Sequence, residues 1–190
     1  MNKLKYKIAV SGASKLDENP DYVKKVSREV GREIAKQGCI LVTGATTGCP
    51  HFASEGQHEV DGAISIGFSP AASELSHSKT YKLPLETYDV MVYTGFHYSG
   101  RNLLMTKAAD GVIIISGKMG TLNEFTIAYE DGKPIGVLEG TGGTADHVRE
   151  LLKRPHRYGA PVVYDTDPKR LVNKLIEIIK KDKRNNHTRE

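Results

Sequence analysis

Between residues 116 and 125 the chain reads SGKMGTLNEF. Two glycines (Gly117 and Gly120), a cation (Lys118), a hydroxyl (Thr121) and a carboxylate (Glu124) fall close together, with Met119 among them. The stretch follows the apolar run VIII and leads into a helical pattern, so it reads as a strand-to-helix turn. Such a turn exposes backbone N–H groups where a helix start adds partial positive charge. Glycine permits backbone angles and close approaches that a side chain would block. Thr121 can donate its hydroxyl, and Lys118 can add a full charge. That chemistry is a phosphate cradle. The same residues also fit a tight βα turn with Thr121 as the helix cap. The P-loop spacing G-x-x-x-x-G-K-[ST] is absent, and no G-x-G-x-x-G follows the first apolar run, which argues against a dinucleotide fold of the usual kind.

Two more turns have the same character. TGATTGCP (43–50) carries Gly44, Thr46, Thr47 and Gly48, and SGAS (11–14) carries Gly12 and Ser14. Each leaves an apolar run and precedes a helical pattern. Three polar glycine turns at one end of a sheet favour a small-molecule ligand that is a nucleotide or otherwise phosphorylated.

The elements needed to bring them together are legible as an alternation. Apolar runs at 6–12, 39–44, 63–69, 89–95, 111–116, 134–140 and 160–165 read as seven strands. Helical patterns fill 20–37, 50–60, 99–109, 120–131, 145–152 and 168–181, while 70–88 is polar and reads as a surface loop. Uniformly apolar strands alternating with helices imply a mostly parallel sheet covered on both faces. The expected fold is a doubly wound, Rossmann-like α/β domain spanning 1–181, with ligands bound beyond the carboxyl ends of the strands.

Bulk properties bound the function. The 190 residues carry a net charge of +4, with 38% hydrophobic and 26% charged residues. No apolar run is long enough to cross a membrane. The opening MNKLKYKIAVSGAS reads as a first strand and not a signal peptide. Much of the positive excess lies in KKDKRNNHTRE at the end. Residues 182–190 read as a basic, solvated tail, and nucleic acid is not an expected partner. Two cysteines, Cys39 and Cys49, supply neither a disulfide framework nor a metal motif, which points to a reducing cytoplasm.

The segment GRNLLMTKAADGVIIISGKMGTLNEFTIAYEDGKPIGVL resembles the Lonely Guy family of cytokinin-activating phosphoribohydrolases, long misnamed lysine decarboxylases. The family signature is P-G-G-x-G-T-x-x-E, preceded by a helix bearing a catalytic arginine. Gly117, Gly120, Thr121 and Glu124 keep the pattern; Ser116 replaces its proline and Lys118 its second glycine. Arg101 falls where the arginine belongs, in YSGRN and not M-H-E-R-K, with Asn102 beside it. The early loop has Ala45 and Thr46 where the close family prefers glycine. The resemblance covers most of residues 6–153. GRN followed by AAD, and GTGG at 140–143, are similar to a bacterial and archaeal branch near molybdenum-cofactor carrier proteins, with DNA-processing protein A more distant. From the residues alone, Arg101 and Glu124 read as a structural ion pair, or Glu124 as capping-box partner of Thr121. The resemblance instead makes them catalytic, for cleavage of an N-glycosidic bond in a nucleoside 5′-monophosphate. The alternative it implies is a carrier or sensor without turnover. It also implies a homo-oligomer, a dimer or higher, with sites near the interface; no cofactor is expected.

Other groupings carry less. His51, Glu55 and His58 share a helical face and could approach a metal, but they read as a solvated face, and no metal is expected. Asp110 reads as structural. Tyr93, Phe96 and Tyr98 could stack on a base, though aromatics at a strand end more often pack.

Overall fold

The computed structural model describes residues 4–17, 19–153 and 159–187. Seven strands, β1 (Lys7–Gly12), β2 (Ile40–Thr43), β3 (Ile64–Ser69), β4 (Val90–Tyr93), β5 (Gly111–Ile115), β6 (Ile135–Leu138) and β7 (Val162–Asp165), form one sheet ordered β4-β3-β2-β1-β5-β6-β7. Every adjacent pair is parallel. The helices are α1 (Pro20–Lys36), α2 (Cys49–His58), α3 (His97–Ala108), α4 (Met119–Glu130), α5 (Gly143–Leu151) and α6 (Pro168–His187). This is the expected doubly wound, Rossmann-like architecture.

Side-chain alternation explains the two-faced burial. In β1, Ile8 and Val10 point into one core with α1, α2 and α6, while Ala9 points into the other with α3, α4 and α5. In β5, Ile113 and Ile115 join the first core, and Val112 and Ile114 the second. A fully buried isoleucine contributes about 1.5–3 kcal/mol relative to exposure, so β5 anchors both layers. The chain grows outward from β1 to β4, then crosses back to β5 on the other side of β1. The crevice between β1 and β5 is therefore the topological switch point, where ligands bind in such sheets.

Three boundaries differ from the sequence reading. The 70–88 segment contains a π-helical turn, Ser76–Thr80. It is held by the buried His77, whose ring pairs with Ser69 Oγ at 2.8 Å and with the Pro84 carbonyl at 2.9 Å. Helix α4 starts at Met119, one residue before the expected 120, and Glu124 lies in its second turn. Helix α6 runs on to His187 through residues that read as tail; residues 188–190 lie outside the described residues.

Candidate functional site

At the carboxyl end of β5, Ser116 turns the chain with φ 51° and Gly117 follows at φ 104°. A Cβ at Gly117 would stand 2.4 Å from Thr121 Cβ, so this position has to be glycine. Ser116 occupies the signature's proline position, yet proline cannot adopt a positive φ and has no N–H. The Ser116 N–H is in use, donating to Thr141 Oγ1 at 2.8 Å. The departure from the signature is thus a different loop geometry, matched by GTGG at 140–143. The start of α5 grips the loop: the amides of Thr144 and Ala145 donate to the carbonyls of Gly117 (2.8 Å) and Ser116 (3.0 Å).

These contacts decide which helix start can hold an anion. The α5 amides are occupied by the loop's carbonyls. The first amide of α2, that of Cys49, donates to the Ala13 carbonyl at 2.8 Å. Helix α4 differs. Its first amides, those of Met119, Gly120 and Thr121, have no acceptor within the helix. No side chain caps it; its N-cap is Lys118, and Thr121 does not serve. Nothing within 4 Å would meet a Cβ at Gly120, so that face is open space.

That space is a cavity of about 290 Å³ walled by the three glycine turns and the start of α3. Gly12, Ser14, Gly44, Thr46, Thr47, Arg101, Asn102, Lys118, Gly120, Thr121 and Glu124 all line it. The other three nominated residues do not. Gly48 (φ 74°) allows its loop to approach Ala13, Gly117 supports the turn, and Met119 is 76% exposed. Sequence reasoning missed Val10, Ala13, Lys15, Pro50 and Leu83 in the wall, and it left Tyr98, also in the wall, as packing.

Glu124 forms the floor with Arg101, each about 5% exposed (6% and 5%). Arg101 Nη1 lies 3.5 Å from Glu124 Oε1. Ser11 donates its hydroxyl to Glu124 Oε2. With its amide nitrogen turned toward acceptors, Asn102 donates to Glu124 Oε1 and to the Tyr98 carbonyl, both at 2.9 Å. Ser11 was also missed, although a hydroxyl inside an otherwise apolar strand was a visible signal. Burial pushes the Glu124 carboxyl above its ordinary value, opposed by Arg101 and then Ser11. Burial likewise lowers the Arg101 guanidinium, opposed by Glu124. Arg101 Nε is buried without a partner. Gly44 makes room for this arginine, since a Cβ there would stand 1.4 Å from Nη1.

The weaker groupings stay outside the pocket, apart from Tyr98. Asp110 accepts the Lys7 amide at 2.7 Å, at the opposite end of β5. His51 Nε2 lies 3.4 Å from Glu55 Oε1, and no group of three metal-ligating side chains occurs among the described residues. Tyr93 packs edge-on against His77. Cys49 is fully buried, and burial pushes its thiol up to about 11. No helix among the described residues is long and apolar enough to cross a membrane.

The switch-point crevice and its cradle define a Rossmann-like ligand-binding protein. The chain belongs to the SLOG cluster4 family, which it matches over residues 5–172. It is similar to an uncharacterised protein of Archaeoglobus fulgidus, 25% identical over 70% of this chain and 79% of that one. The X-ray structure of the structural-genomics target TM1055 is 26% identical with TM-score 0.78, covering 93% of this chain and 99% of that one. The molybdenum cofactor binding protein of Rippkaea orientalis is 22% identical with TM-score 0.75, covering 94% and 99%. DNA processing protein A of Helicobacter pylori, described with a single-stranded DNA binding mode, is 22% identical with TM-score 0.59, covering 90% and 80%. At that identity the likeness is one of fold, and it leaves the expectation against nucleic acid without support.

Proposed function

We propose that the pocket binds a nucleoside 5′-monophosphate or a close phosphorylated analogue and that Glu124 assists cleavage of its N-glycosidic bond. The observation that carries this reading is a buried carboxylate lining the same small cavity as the open amides of α4. The phosphate would sit on the Gly120 and Thr121 amides, where the helix start favours negative charge. A cavity of about 290 Å³ suits a sugar phosphate and not a dinucleotide. Cleavage builds positive charge on the sugar, which a carboxylate stabilises or meets with an oriented water. A raised carboxyl pKa makes Glu124 a better proton acceptor near neutral pH than an exposed glutamate. Arg101, Ser11 and Asn102 fix its orientation.

The second reading is a carrier or sensor without turnover, for a nucleotide or a molybdopterin-type ligand. It is favoured by the altered cradle, with Ser116 at positive φ and Lys118 in a glycine's place. The fold likeness to the molybdenum cofactor carrier protein of Chlamydomonas reinhardtii, at 24% identity and TM-score 0.72, supports it. Under either reading we take residues 1–181 as one binding domain working in the cytoplasm. We also take the exposed apolar residues of β4 and α3, Val90, Val92, Leu103 and Leu104, with Phe96 at the start of α3, as contacts of a homo-oligomer.

The test is incubation with a panel of nucleoside monophosphates, with free base followed by chromatography and binding by calorimetry. Base release by the parent that is lost in Glu124→Gln supports the hydrolase. Tight binding without release establishes the carrier. No binding across the panel, with a single-stranded oligonucleotide bound instead, refutes both.

A further inference from the structure

Lys118 stands where the signature has a glycine, and its side chain is engaged. Its Nζ forms an ion pair with Asp17, on the loop between β1 and α1. The pair therefore joins the two loops that flank the switch point. The Lys118 backbone is pinned, because its carbonyl accepts from the Leu122 amide at 2.9 Å and from Thr144 Oγ1 at 3.0 Å. The side chain thus pivots from a fixed point beside the open amides of α4. Both partners are solvated, with side-chain exposures of 65% and 50%, so the pair can exchange partners at little cost. Hydrogen bonding and charge from Lys118 hold the Asp17 carboxyl below its ordinary value, with a smaller contribution from Lys15. Lys15 also lines the pocket.

We propose that the Asp17–Lys118 pair is a bar at the rim of the pocket, in which Asp17 is a resident counter-anion that a phosphate ester must displace from Lys118. The inference rests on the phosphate-binding reading and adds to it a competing anion at the rim. A neutral nucleoside offers the lysine nothing and leaves the bar in place. A dianionic phosphate monoester attracts Lys118 more strongly than one exposed carboxylate does. It takes the lysine over, and Asp17 is left facing Lys15 and water. Asp17 then lowers affinity for a phosphate ester, and not for a neutral nucleoside, without touching the ligand.

Four proteins test this: the parent, Asp17→Asn, Lys118→Ala and the double variant, each titrated calorimetrically with adenosine monophosphate and with adenosine. Both side chains are at the surface, so the variants are expected to fold. Asp17→Asn should bind adenosine monophosphate about threefold tighter, the scale of one exposed charge pair. Lys118→Ala should bind it about fivefold more weakly, and Asp17→Asn should then give little further gain. Adenosine affinity should not respond to either change. An equal gain from Asp17→Asn with and without Lys118 would mean that Asp17 acts only through general charge, and it overturns the bar. So does an unchanged affinity in Asp17→Asn while the parent binds the nucleotide. If none of the four binds adenosine monophosphate, the phosphate reading fails and the bar fails with it.

Discussion

Replacing Glu124 by glutamine removes one charge from a site where two charges are out of water. Three groups converge on the carboxylate: the Ser11 hydroxyl, the Asn102 amide and the Arg101 guanidinium. Glutamine has the same size but only one acceptor oxygen, and its NH₂ must face one of those donors. Arg101 is left as a buried charge without its counter-ion. Breaking a buried pair from one side costs about 3–5 kcal/mol. Both residues line the pocket and keep 5–6% exposure, so we expect the lower end, about 3 kcal/mol. For a chain of this size that lowers the melting temperature by roughly 6–12 °C. Adding Arg101→Met removes the stranded charge and should recover more than half of the loss. Scanning calorimetry on the parent, the single variant and the double variant reads this directly. A Glu124→Gln protein that melts within about 2 °C of the parent, less than 1 kcal/mol, would refute the buried pair. Base release is a separate readout, expected to fall by roughly two to four orders of magnitude if Glu124 is the general base.

Gly44→Ala should displace the Arg101 guanidinium, since its Cβ would stand 1.4 Å from Nη1. The cost is about 1–3 kcal/mol in denaturant titration, with weaker nucleotide binding. Ser116→Gly should stabilise by up to about 1 kcal/mol, relieving a positive φ, whereas Ser116→Pro should destroy the cradle, losing both the φ and the bond to Thr141. Asp165 is held below the ordinary carboxylate range by Arg170, then Lys174 and the Asp167 amide. Its stabilisation is therefore full above the usual carboxylate pKa of about 4 and is lost as pH falls toward its folded value. Melting temperatures of the parent should drop on acidification below about pH 4, and Asp165→Asn should show a shallower drop. Cys49, fully buried with its thiol pushed up to about 11, should resist an aromatic disulfide reagent until the protein is unfolded.

The sheet was legible because each strand is a short apolar run ending in glycine or a polar turn, and such runs alternate with helical patterns. The three glycine turns were legible for the same reason, and they do converge on one cavity. The failures have physical causes. Ser11 stands beside Gly12 in SGAS and so reads as part of the turn, although a hydroxyl within a buried strand requires a partner. Leu83 reaches the pocket only because His77 folds the 70–88 segment back on Ser69 and Pro84, a long-range arrangement that no local pattern encodes. Asp17 meets Lys118 across a crossover, which spacing cannot show. The capping-box reading of Thr121 and Glu124 failed because the helix begins at Met119 with Lys118 as its N-cap, which puts Thr121 at the third helical position and Glu124 at the sixth. The helical extension through 182–187 lacks an apolar stripe to announce it.

The central claim is that a phosphate sits at the start of α4, beside Glu124. A crystal structure of the protein with adenosine monophosphate tests it most directly. The account predicts the phosphate within hydrogen-bond distance of the Gly120 and Thr121 amides, with Lys118 moved from Asp17 toward it and the sugar over Glu124. A nucleotide bound elsewhere on the surface, with the α4 amides meeting only water, would contradict it.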